Sequence, residues 1–127
     1  MSMETMNKPK TRLSIAIVLS MLLVATLSAC APAKLDVSNV SAIIDTRTPD
    51  EFAKSHIVGA INISYASGTF ISYASSLARN GVYYVYGETA DEAGNAKADM
   101  VSLGINQVTN LGNFSDAQNV LPLGVTK

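Results

Sequence analysis

Short apolar runs, each closed by polar or turn-forming residues, divide the chain into alternating strands and helices. Ala42-Ile43-Ile44-Asp45, after a lead-in from Asp36 to Val40, predicts a first strand. Thr48-Pro49-Asp50-Glu51 opens a brief helix: Thr48 as N-cap, Pro49 at the first helical position, Glu51 completing a capping box. Phe52 and Ala53 are its apolar face, and Ala60-Ile61-Asn62-Ile63 is a second strand. A Ser/Gly loop leads to a weak helix from Phe70 to about Ala78, stopped by Asn80-Gly81. Val82-Tyr83-Tyr84-Val85-Tyr86 follows, an unbroken Val/Tyr run that suits a parallel strand covered on both faces. Thr89 and Glu92 form a capping box, Ala93, Ala96, Met100 and Leu103 share one helical face, and Gly104 ends the helix. Val108 to Leu111 is a last strand and Ser115 to Val120 a closing helical turn. The alternation predicts an α/β fold, with a parallel central sheet and helices on both faces, in one small domain.

In such sheets ligands sit where a strand feeds a helix, because backbone N–H groups converge at the helix N-terminus. Here that place is the loop Gly87-Glu88-Thr89-Ala90-Asp91-Glu92. Composition narrows what it can do. Residues 31–127 hold six Lys plus Arg against nine Asp plus Glu, a net charge of −3 without a basic cluster, so nucleic acid is not an expected partner. Cys30 is the single cysteine, which excludes an intramolecular disulfide and a cysteine-based metal site. His56 is the single histidine; no metal and no cofactor are expected.

Residues 1–12 are polar with a basic end, and residues 13–29 form an apolar run interrupted by Ser14, Ser20, Thr26 and Ser28. Leu27-Ser28-Ala29-Cys30 closes it in the manner of a bacterial lipoprotein signal, whose Cys thiol accepts diacylglycerol. A spanning helix is the bland alternative, but 17 residues is very short for one. The expected organisation is a signal peptide over 1–30 ending at lipidated Cys30, a tether over 31–34, a domain over 35–121 and a tail over 122–127. Several acyl chains would hold the mature protein to membrane lipid in the cell envelope. Ala31 is not the Asp of an inner-membrane retention signal, so a two-membraned source points to the outer membrane.

Ile44-Asp45-Thr46-Arg47-Thr48-Pro49-Asp50-Glu51-Phe52, then His56-Ile57-Val58-Gly59-Ala60-Ile61-Asn62-Ile63, resembles the first signature of the rhodanese-like domain. Val85-Tyr86-Gly87, Ala96 through Gly104 to Val108, and Leu111-Gly112 resemble its second half in spacing. The resemblance covers about residues 35–120 and is strongest to small single-domain rhodaneses of the bacterial envelope. It implies the α/β fold and a sulfurtransferase ancestry, in which a Cys at the end of the central strand carries a persulfide. It places that Cys at Gly87, the loop Gly at Ala90, and the expected Arg at Asp91 and Glu92. No catalytic residue of that mechanism is therefore present, and Cys30 is committed to lipid.

Asp45, Arg47, Glu51, His56, Gly59 and Asn62 are read as structural signature: Arg47 pairing with Glu51, Asp45 bonding loop amides, and His56 fixing the turn before Gly59. Glu88, Asp91 and Glu92 are favoured by the helix dipole, and the loop is expected to cap itself, with Asp91 folding back onto free amides. Gly87, lacking a side chain, lets another group approach the backbone closely. Tyr65 and Tyr73 offer contact surface, while Tyr83, Tyr84 and Tyr86 belong to the sheet. The function expected is a membrane-anchored, catalytically inactive rhodanese-like module that binds or scaffolds an envelope protein. The alternative is a sulfurtransferase-family enzyme with carboxylate-based or weakly cation-dependent chemistry at the 87–92 loop.

Overall fold

A four-stranded sheet carries the domain in the computed structural model, which describes residues 33–127. The expected signal segment, Cys30 and the first two tether residues lie outside the described residues. The strands are β1 (Ala42–Asp45), β3 (Ile61–Asn62), β4 (Val82–Gly87) and β5 (Gln107–Asn113), in the order β3-β1-β4-β5. All three pairings are parallel, as the alternation of elements predicts.

Side-chain alternation splits the apolar strand residues between two cores. Ile44, Tyr83 and Val85 face one side, covered by α2 (Phe70–Ala74) through Phe70 and Ala74 and by α3 (Ala90–Ser102) through Ala93, Ala96 and Met100. Ile43 and Tyr86 face the other, covered by α4 (Phe114–Val120) through Ala117 and by Leu121 beyond it. Helices on both faces explain why the Val/Tyr run tolerates no charge.

Helix ends follow their residues. Thr48 caps α1 (Pro49–Lys54) by accepting the Glu51 N–H at 3.3 Å, and Thr89 caps α3 by accepting the Glu92 N–H at 3.1 Å. At the other end of α3, the Gly104 N–H reaches Val101 O and the Ile105 N–H reaches Met100 O, both at 3.0 Å. Gly104 has φ +88°, so this is a Schellman stop that needs glycine.

Several expectations are corrected. Glu51 does not close its capping box; its carboxylate lies 3.9 Å from Arg47 and 3.8 Å from Lys54. Ala53 is exposed and α1 buries no residue. The second strand is two residues, Ile61–Asn62, and the weak helix stops at Ala74. β5 is longer than expected because a glycine bulge at Gly112 (φ +83°) carries it on to Asn113. The six residues after Leu121 include β6 (Val125–Thr126), which pairs antiparallel with β2 (His56–Ile57).

Candidate functional site

The carboxyl ends of β1, β3 and β4 meet at one edge of the sheet, and register decides which side chains converge there. Asn62, Asp45 and Tyr86 occupy neighbouring positions across three strands. Asn62 Nδ2 donates to Asp45 O at 3.0 Å and to Arg47 O at 2.9 Å, fixing the chain as it leaves β1.

Asp45 and Arg47 form the buried ion pair of the domain. Arg47 Nη2 donates to Asp45 Oδ2 at 2.6 Å and Nε to Oδ1 at 3.0 Å, with 4% and 0% of the side chains exposed. Asp45 Oδ1 also accepts the Arg47 N–H at 2.9 Å, the loop-amide role expected of it. Arg47 Nη2 donates again to Ser55 O at 2.7 Å, and its Cζ lies 4.1 Å from the Phe114 ring centre. The principal partner of Arg47 is thus Asp45, not Glu51, which sits half-exposed at the rim. Burial opposes the Arg47 charge, but the hydrogen bonds and charge of Asp45 outweigh it and raise the guanidinium above its ordinary range. Removing either partner would strand a buried charge at a cost of roughly 3–5 kcal/mol. Asp45 and Arg47 join β1, the α1–β2 junction and α4.

His56 is structural too. Its ring stacks on Phe52 with centroids 3.7 Å apart, and Nδ1 lies 2.9 Å from Phe52 O. A carbonyl oxygen only accepts, so Nδ1 carries the proton. The Gly59 turn beyond it has φ +82°, which favours glycine.

At the end of β4 the chain turns through Gly87, Glu88 and Thr89 into α3. The carboxylate that folds back over this turn is Glu92, not Asp91. Glu92 Oε1 accepts Thr46 Oγ1–H at 2.9 Å and the Glu88 N–H at 3.3 Å, while Asp91 is exposed. Thr46 Oγ1 lies 3.2 Å from Tyr86 O as well, and the Tyr65 N–H reaches Thr46 O at 2.9 Å. The loop is therefore closed from within. A Cβ placed on Gly87 would meet Thr46 Oγ1 at 2.7 Å and Glu92 Oε1 at 2.9 Å. The close approach expected at Gly87 exists, and the approaching groups are the chain's own.

Thr46 is the residue that sequence reasoning passed over. It is fully buried one position beyond β1. A hydroxyl between the two charged residues of Asp45-Thr46-Arg47, where strand alternation turns it inward, was the available signal. Ala90 is exposed at the start of α3, and Glu88 is exposed with it. Among the described residues no three His, Cys, Asp or Glu side chains come together at metal-binding distance.

Two cavities open beside the loop. One cavity of about 240 Å³ is lined by Tyr65, Gly68, Phe70, Ile71 and Asp99, and another of about 240 Å³ by residues including Asn62, Ser64, Thr69 and Tyr73. Neither is lined by residues 87–92. Tyr83 and Tyr86 are buried, Tyr84 is half-buried with its hydroxyl on Asp36 O at 2.7 Å, and Tyr73 is exposed.

A family-level profile described as "Rhodanese-like domain" matches residues 30–117. Among solved structures, the Rhodanese_3-like domain of the Alr3790 protein from Anabaena is 24% identical, covering 68% of this chain and 98% of that one, with a TM-score of 0.60. A rhodanese from E. coli, solved with anions, is 26% identical over 68% of this chain and 96% of that one, TM-score 0.56. A rhodanese-like domain protein from Staphylococcus aureus is 21% identical over 83% and 92%, TM-score 0.54. No curated protein matches the chain.

Proposed function

The chain belongs to the rhodanese-like domain family, and from that membership we propose a lipid-anchored, catalytically inactive member that binds or scaffolds a protein of the bacterial envelope. One observation carries the inactive reading. Gly87 stands at the end of β4 with no atom able to bear sulfur, and the space its side chain would take is held by Thr46 Oγ1 and Glu92 Oε1. A carboxylate at that place also opposes the chemistry, since it disfavours a neighbouring thiolate and repels an anionic sulfur donor. The anchoring reading rests on Leu27-Ser28-Ala29-Cys30 behind its apolar run. With the loop closed, partner contacts fall to the outer surface, where Ile71 and Tyr73 of α2 are 53% and 63% exposed.

The test is thiosulfate:cyanide sulfur transfer by the full chain. No thiocyanate above the protein-free rate is expected, and Gly87→Cys is expected to restore little of it. Turnover by the natural chain in proportion to its concentration refutes the reading.

A further inference from the structure

The cavity lined by Tyr65, Gly68, Phe70, Ile71 and Asp99 is not part of the closed loop, and its walls are chemically uneven. Phe70 and the exposed Ile71 supply an apolar side, with the Tyr65 and Phe70 rings tilted at 57° and 5.4 Å between centroids. Asp99, half-buried on α3, supplies the single charge. The Tyr65 hydroxyl donates to Asp99 Oδ2 at 3.0 Å and so holds the carboxylate in place. Among the described residues no Lys, Arg or His lies within 4.0 Å of Asp99, so its charge is unanswered. The Asp99 hydrogen bond, then burial, then the charges of Asp99 and of Glu92, seven residues earlier on the same helix, push the Tyr65 phenol above its ordinary range. Asp99 and Glu92 give this side of α3 its negative charge.

We infer that this cavity is a site for a small organic cation, an alkylammonium whose head meets Asp99 and whose short chain lies along Phe70 and Ile71. Three features select that chemistry. A lone carboxylate does not make a site for Ca²⁺ or Mg²⁺, which take six or more oxygens or near-ideal octahedral geometry. A negative wall rejects anions. A volume of about 240 Å³ is below the range of drug-sized pockets, about 300–1,000 Å³, so the occupant is a few carbons long. A free amine and the side chain of a partner's lysine present the same head and stem. The site is independent of whether Gly87 permits sulfur transfer.

The experiment is a titration of the ¹⁵N-labelled full chain in detergent with n-butylamine hydrochloride, following backbone amides. Saturable shifts at Tyr65, Gly68 and Asp99 are expected, with residues 87–89 moving less. Asp99→Asn keeps an oxygen for the Tyr65 hydroxyl while removing the charge, and is expected to weaken binding about tenfold. Ile71→Ser should weaken butylammonium and leave methylammonium unchanged. Nα-acetyl-lysine methylamide, run in parallel, separates the sources: tighter binding than butylamine assigns the site to a lysyl side chain, weaker binding to a free amine. No saturable shift with either probe, equal shifts with neutral n-butanol, or unchanged affinity in Asp99→Asn overturns the assignment.

Discussion

Glu92 shows how one side chain can take over a site. Its backbone N–H is capped by Thr89 Oγ1, and its carboxylate returns to Glu88 N and Thr46 Oγ1 instead of closing the ordinary box on Thr89 N. A methyl group added at Gly87 should therefore compete with it. Gly87→Ala is expected to cost about 1–2 kcal/mol, and clearly less in a Glu92→Ala background, because one of the three crowding atoms is gone. Urea unfolding of the four chains checks this; equal costs in both backgrounds would place the crowding elsewhere. Tyr86 offers a second test at this scale. Burial, opposed by the Ile57 N–H that its oxygen accepts at 3.1 Å, pushes its phenol well above the ordinary 10.0. A raised folded value means the unfolded chain gives up its proton first. The contribution to stability is thus complete below pH 10 and shrinks as pH rises beyond it. Tyr86→Phe should flatten that alkaline decline, measured as unfolding free energy between pH 9 and pH 11.

At the scale of elements, legibility followed locality. Both threonine caps, β1 residue for residue, and the apolar face of α3 were readable because each signal lies within a few residues of the element it makes. β2 and β6 were not, since two-residue strands carry no period and their pairing joins residues about seventy positions apart. The loop was half legible. Spacing placed the turn and showed an acid folding back as the way to satisfy its amides, but chose Asp91, because only the folded chain brings Thr46 beside Glu92. Asn113 was likewise passed over, although it caps α4 in a full capping box with Asp116. The pairing of β6 is open to a direct test. Deleting residues 122–127 removes the β2 partner and the Val58 N–H bond to Gly124 O, 2.9 Å long. A loss of about 1–2 kcal/mol is expected, with the parallel sheet retained by circular dichroism. An unchanged urea midpoint would show that the pair contributes nothing.

For the whole molecule, the family assignment and the parallel sheet were present in the Asp45 to Asn62 signature, whose residues tie strands and helices together. That matters for function: an architecture survives when its fastening residues are kept, whatever becomes of its nucleophile. The proposed anchor is testable on the intact chain. Cys30→Ser is expected to leave an unprocessed precursor in cells, and blocking the lipoprotein signal peptidase should do the same. A mature N-terminus downstream of residue 30, without acyl mass, would refute it.

The Leu35 N–H bonds Val120 O at 2.8 Å, and the Lys34 ammonium reaches Asn119 O, so the chain enters the domain beside the C-terminal end of α4. Tension has a simple path through such a layout. β6 is the last element of the domain and holds two residues against β2, so a pull on the C-terminal end would meet that short ladder first. Were the proposed anchor to hold the front of the chain, its last few residues could part from β2 with the four parallel strands still paired.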